Sequence, residues 1–300
     1  MSLLAVGSIA FDNVKTPAGE VKDVLGGSGV YFSCAASFFG PVRLVGVVGE
    51  DFPDEHLEFL VSRGVDTAGI TRCKGRTFRW CGSYEGAMNE ATTLEVDLNV
   101  FGDFEPEIPP SYRDSLFLFL ANGAPRTQLC VLDQLPQARF TVADTMNLWI
   151  ENEREDLRKV IERVDLLFIN EGEVRMLTGK SSLVEAGREA VAMGAKGVVV
   201  KKGEHGALLV MKEECFALPA FPVDRLVDPT GAGDSFAGGF MGYVSSAGDL
   251  EPETIKRGLA HATVAASFNV ENFSLRRFSE IDRSDIDKRY QRYAAMLRLD

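Results

Sequence analysis

The sequence predicts an α/β fold with a largely parallel central sheet, on three observations. Short apolar, β-branched runs alternate with helical segments from residue 1 to about 270, the pattern that strand–helix–strand crossovers produce. Several of those runs end in turns rich in glycine or aspartate, such as Gly7-Ser8-Ile9-Ala10-Phe11-Asp12 and Lys201-Lys202-Gly203-Glu204-His205-Gly206. Finally, 300 residues of which 45% are hydrophobic can bury a sizeable core within one large unit.

Taken in order, Leu3 to Ile9 reads as a buried strand with Asp12 just past its end, where open α/β sheets bind ligands. Gly26-Gly27-Ser28-Gly29 turns into a small-residue helix over Val30 to Phe39; it is not a dinucleotide fingerprint, because Phe32 stands where a third Gly belongs. Val42 to Val48 is a second strand, followed by a helix at about Pro53 to Arg63 that stops at Gly64-Val65-Asp66. Thr77 to Tyr84 and Thr92 to Leu98, rich in β-branched and aromatic residues, flank a polar turn and read as a hairpin. Leu116 to Leu120, Phe140 to Ala143, Val164 to Ile169 and Ala195 to Val200 are further strands, with a helix over Glu151 to Arg163 and a returning strand at Ala207 to Met211. Two helices close the chain, Glu253 to Phe268 and a charged amphipathic one over Arg276 to Leu297 that reads as a solvated face.

Composition narrows the class. A formal charge of −12 argues against nucleic acid or an anionic membrane as partner. The longest apolar run, near Leu116 to Ala121, is too short to span a bilayer, and no basic region precedes an apolar run at the N-terminus. Five cysteines without C-x-x-C spacing read as reduced thiols of a cytoplasmic protein, not as a metal framework.

Chemistry concentrates in Asp228-Pro229-Thr230-Gly231-Ala232-Gly233-Asp234-Ser235-Phe236-Ala237-Gly238-Gly239-Phe240. Where a loop enters a helix, the first backbone N–H groups lack partners and their dipoles converge on an anion. Gly231 and Gly233 remove the Cβ atoms that would hold the anion away. Asp234 would repel a phosphate, but it makes sense as the acceptor of a proton from a hydroxyl attacking that phosphate. A second constellation is Asn170-Glu171-Gly172-Glu173. Its Asn and Glu, three apart, face one side of a helix start and can order the waters of Mg²⁺; the same spacing makes an N-cap with a capping-box Glu, and the two readings are compatible.

The thirteen residues from Asp228 to Phe240 closely resemble the C-terminal signature of the ribokinase (PfkB) family of small-molecule kinases. Val45-Gly46-Val47-Val48-Gly49-Glu50-Asp51 and Gly64-Val65-Asp66 resemble the family's first signature region, and Asp144 to Trp149 its Asp-x-Asn run, with altered spacing. The resemblance covers almost the whole chain and implies a single ribokinase-like domain over residues 1–300, with a small β lid from about 13–25 and 76–99. It implies that Asp12, Gly26 and Gly27 contact the substrate, with Tyr31 in place of a sugar-binding Asn. It also implies that Asn170 and Glu173 position Mg²⁺ through water, that Lys201, Gly203 and Thr230 lie by ATP, and that His261 walls the adenine pocket. Potassium beside the signature loop, with Asp228 as a ligand, and pairing of two chains through the lid are further implications. The segment from Ser267 to Ser274 lacks the small Gly-Ala pattern of potassium-dependent relatives.

The function expected from these residues is ATP-dependent phosphorylation of a hydroxymethyl-type alcohol on a sugar or sugar-like molecule. Asp234 is the base, and the amides of Gly231, Ala232, Gly233 and Asp234 form the anion hole. Ala10 and Tyr31 replace two amide side chains of ribokinase-type sites, so free ribose loses hydrogen bonds. A nucleoside is the alternative acceptor, its base stacking on Phe11, Tyr31 or Trp80. A noncatalytic ligand-binding protein on the same fold is the alternative of another class, and the presence of Asp234 argues against it. No G-x-x-x-x-G-K-[ST] loop occurs, which removes P-loop kinases, and no G-x-G-x-x-G follows the first strand, which argues against a dinucleotide oxidoreductase.

Overall fold

The computed structural model describes residues 2–298. Its elements run β1 (Leu3–Val6), β2 (Ala10–Thr16), β3 (Gly19–Gly26), α1 (Ser28–Ala36), β4 (Val42–Gly49), α2 (Asp54–Ser62), β5 (Val65–Cys73), β6 (Phe78–Ser83) and β7 (Thr92–Asp97). Then follow β8 (Phe117–Leu120), α3 (Pro125–Gln134), β9 (Phe140–Asp144), α4 (Asn147–Asn152), α5 (Arg154–Ile161), β10 (Leu166–Asn170), α6 (Glu171–Thr178) and α7 (Leu183–Ala192). The chain closes with β11 (Gly197–Lys201), β12 (Ala207–Met211), β13 (Cys215–Leu218), α8 (Ala232–Ala247), α9 (Pro252–Asn269), α10 (Arg276–Glu280) and α11 (Arg283–Met296).

Nine strands form the main sheet in the order β13-β12-β11-β10-β9-β8-β1-β4-β5. All neighbours are parallel except β12 and β13, which return antiparallel at one edge. The parallel strands inside the sheet are buried on both faces, which is why they read as continuous apolar runs. Alternation divides their side chains between two cores: Leu3, Ala5, Phe117 and Phe119 pack under α1, α8 and α9, while Leu4, Val6, Leu118 and Leu120 face α3, α5, α6 and α7. From β1 the chain proceeds outward to β4 and β5, then returns to β8 on the other side of β1. The reversal opens a crevice at the carboxyl ends of β1 and β8, the usual ligand position in such sheets.

A separate four-stranded sheet, in the order β3-β2-β6-β7, forms the lid. Its outer strand β7 is exposed along its whole length, including Leu94 and Val96 at 60% and 45%.

Three readings of the chain change. Gly64-Val65-Asp66, read only as a helix stop, leads into the edge strand β5; one side of it is solvated, so it lacks the apolar run of its neighbours. The helix expected over 151–163 is two pieces broken at Glu153, whose φ of −130° is not helical. The last helix breaks at Ile281 and Asp282 and is more than a solvated face, because Ile286 and Tyr293 are fully buried against the core.

Candidate active site

Three adjacent strands end on chemically active residues: Asp144 closes β9, Asn170 closes β10 and Lys201 closes β11. The parallel register sets Asn170 beside Lys201. Lys201 Nζ lies 2.6 Å from Asp144 Oδ2, with the two side chains only 18% and 4% exposed. Burial disfavours the ammonium charge, but Asp144 and Glu173 more than offset it and hold the Lys201 pKa above the ordinary lysine value.

The signature loop delivers α8 to this cluster. Gly231 is its N-cap with φ 73°, a left-handed conformation, and a Cβ there would stand 2.3 Å from Cγ of Tyr31. Both facts require glycine. No side chain caps the helix, and the Ala232 N–H already donates to the Pro229 carbonyl at 3.0 Å. The anion hole expected over Gly231 to Asp234 therefore narrows toward Gly233, where an added Cβ would lie 3.2 Å from Lys201 Nζ. A helix N-terminus and an ammonium thus meet at one point. Asp234 in the first turn has its pKa pushed up to about 7, by burial first and Asp144 second, with Lys201 opposing. A carboxyl poised near neutral pH suits proton acceptance.

On the lid side, Asp12 lies on β2, 3% exposed. Its carboxylate rests on the α-carbon of Gly26, where an added Cβ would sit 2.0 Å from Oδ2. Gly27 has φ 98° and its added Cβ would meet Ser8 O at 2.5 Å, so Gly26 follows from close packing on Asp12 and Gly27 from its left-handed backbone against the turn before β2. The Tyr31 hydroxyl donates to Asp12 Oδ2 at 3.3 Å. Burial raises the Asp12 pKa to about 7, Asp228 adding to the effect while Tyr31 works against it.

Tyr31 is thus not a free stacking face: it is 1% exposed, with its ring against Gly231. Phe11 points to the opposite face of the lid from Asp12, where it packs on Phe52 and His56 beneath Arg79. Trp80 pairs directly with Asp12 across β2 and β6, so the two share a face; its ring lies over Gly82 and its Nε1 donates to Thr93.

Asn170 and Glu173 form the capping box in full, each side chain accepting from the other's backbone N–H at 2.8 Å. Burial still raises the Glu173 pKa to about 7, with Lys201 opposing. Asp144 and Glu90 add negative charge around that carboxyl. Beside it opens a cleft of about 660 Å³. Asn170, Lys201, Gly203 and Gly233 give it polar walls, and Phe221, Val223, Thr263, Ala266 and Val270 apolar ones. Thr230 is adjacent, its N–H donating to Asp228 Oδ1.

One expectation fails on placement. His261 does not line the cleft; it is stacked between Tyr243 and Tyr290 at centroid distances of 4.3 and 4.0 Å, because it points away from Thr263 and Ala266 on α9. Around Asp228, several oxygens already accept hydrogen bonds. Asp228 accepts from the N–H groups of Thr230 and Ser274, and the Thr230 carbonyl accepts from Asn269 Nδ2 at 2.7 Å. Sequence reasoning missed Asn269, the Lys201 pairing of Asp144, and the lid residues Tyr84, Met88 and Asn89 that reach the cleft. Only Asp144 carried a signal, as a carboxylate ending a strand.

Fold and site together define a small-molecule kinase that carries out ATP-dependent phosphorylation of a sugar-like substrate. The chain belongs to the pfkB family of carbohydrate kinases, whose model matches residues 3–279. It is 32% identical over 269 residues to a cytidine kinase of Thermococcus kodakarensis, covering 87% of this chain and 95% of that protein. A nucleoside kinase of Methanothermobacter thermautotrophicus is 27% identical over 300 residues, covering 90% and 89%. Among solved structures, a putative ribokinase II of E. coli in complex with ATP and Mg²⁺ has a TM-score of 0.78 at 20% identity, covering 97% of this chain and 99% of that one.

Proposed function

We propose that the acceptor is a nucleoside, phosphorylated on its hydroxymethyl group. The observation that carries this reading is the pairing of Asp12 with Trp80 across β2 and β6, which sets a diol-gripping carboxylate beside an aromatic side chain on the lid face that carries Asp12. The likeness to a cytidine kinase over most of both chains supports it.

In this reading the nucleotide donor occupies the cleft, its adenine on the walls of Phe221, Thr263 and Ala266 and its phosphates toward Lys201 and Gly233. Asp234 accepts the proton of the attacking hydroxyl. The Gly233 N–H and Lys201 meet the charge of the transferring phosphoryl group, so transfer relies on positioning and neutralisation. Glu173, whose other oxygen is held by the cap, would hold Mg²⁺ through water, with Asn170 beside it; the ion neutralises the phosphate oxygens when bound. The hydrogen bonds of Asn269 and of backbone amides to the oxygens around Asp228 weigh against a potassium requirement. The exposed edge of β7 supports pairing of two lids.

Steady-state kinetics with cytidine, adenosine, inosine, ribose and fructose test the acceptor. A nucleoside should give the highest kcat/KM; ribose in first place would overturn the reading.

A further inference from the structure

The loop between β6 and β7 does more than span the lid. Tyr84, Met88 and Asn89 line the same cleft as Asn170, Lys201 and Gly203. The Thr230 hydroxyl lies 3.4 Å from the Tyr84 hydroxyl, tying the loop to the signature segment. Met88 is 9% exposed and has φ 54°, a left-handed conformation that a non-glycine residue adopts only where its surroundings impose it. It packs with Val14, Tyr84 and Val227, so the loop is seated on the body of the protein.

Next to Met88, the Asn89 amide sits over Gly203, close enough that a Cβ on Gly203 would stand 2.7 Å from Asn89 Oδ1. Glycine at 203 therefore makes room for a lid residue. Asn89 Nδ2 has the Glu204 carboxylate as acceptor at 3.4 Å, a long contact on an exposed loop. An amide N–H held at the polar wall of the cleft, on a weak anionic acceptor, would exchange it readily for a better one.

We propose that Asn89 is a donor-site residue, its Nδ2 donating to a phosphate oxygen of the bound nucleotide, so that the lid builds part of the phosphoryl-donor site as well as covering the acceptor. This rests on the reading of the cleft as the nucleotide site. Because β2 of the same lid carries Asp12, nucleotide and acceptor binding then share one element. Each ligand strengthens the other by the same factor.

The test is calorimetric titration of a nonhydrolysable MgATP analogue into the wild type and four variants, with thermal melts alongside. Asn89→Ala should weaken binding about tenfold or more, as loss of a hydrogen bond to a charged group does. Asn89→Asp should weaken it further by repelling phosphate, and neither should move Tm. Glu204→Ala should leave affinity unchanged or improved, since it removes the competing acceptor. Unaltered affinity in Asn89→Ala, or an equal loss in Glu204→Ala, would overturn the proposal, the latter because Asn89 would then act through Glu204. Ala266→Phe narrows the cleft on a wall the lid does not form. Wild-type affinity in that variant, with Tm retained, would instead sink the nucleotide-site reading and the proposal with it.

Discussion

The hydroxyl of Tyr31 donates to Asp12 Oδ2 across 3.3 Å while the ring of the same residue lies on the backbone of Gly231. One side chain thus joins the acceptor-side carboxylate to the loop that starts α8. A buried aromatic wedge thus holds the Asp12 carboxylate and the entry of α8 at a fixed separation.

Asp12 costs stability in the free protein. Its folded pKa is raised to about 7 by burial and Asp228, so the folded state binds its proton more tightly than the unfolded chain. Its contribution to stability therefore falls as pH rises from about 4 to about 7 and is level above that. Asp12→Asn should raise Tm at pH 8, leave it near wild type at pH 4, and abolish acceptor binding. A melting temperature lowered at pH 8 contradicts the burial argument.

Asp234→Asn keeps the shape of the base and removes its proton acceptor. Turnover should fall by about 10²-fold or more, with nucleotide binding retained. In the wild type, activity should decline as pH drops through about 7, where the Asp234 carboxylate gains a proton. Lys201 holds that pKa down, so Lys201→Met should move the acidic limb of the kcat/KM profile to higher pH. An unmoved limb would separate Lys201 from the base.

Glu173→Gln preserves an acceptor for the Asn170 N–H and so preserves the capping box. The magnesium concentration needed for half-maximal rate should rise severalfold while Tm stays within about a degree, since the cap is worth only about 1 kcal/mol and is kept. A fall in Tm with an unchanged magnesium requirement would reduce Glu173 to a cap.

Rates in potassium, sodium and tetramethylammonium buffers should be equal. Asn269 bridges the Ser235 hydroxyl at 3.0 Å and the Thr230 carbonyl at 2.7 Å, holding the signature loop with an amide. Severalfold activation by potassium alone would show that the cation displaces these bonds.

Much of this was open to reading in the sequence because it is local. Gly231, Gly233 and Asp234 declare a helix entry within four residues, and Asn170 with Glu173 declares a cap within four; such hydrogen bonds are satisfied by near neighbours whatever the rest of the chain does. The apolar runs of β1, β4, β8, β9, β10 and β11 declare a doubly covered sheet, since burial on both faces leaves no polar alternation. β5 at the edge, half solvated, declared little.

Tertiary structure alone decided which of these signals meet. Lys201 and Asp144 are 57 residues apart, and Asn89 and Glu204 115 apart, so strand order and the fold of the lid, not any pattern of neighbours, bring them together. His261 shows the same limit from the other side. Its position on α9 is legible from periodicity, but whether that face meets the cleft or the Tyr243–Tyr290 stack depends on how α9 is rotated against α8 and α11. Side-chain period fixes faces within an element, and only packing between elements gives each face its partner.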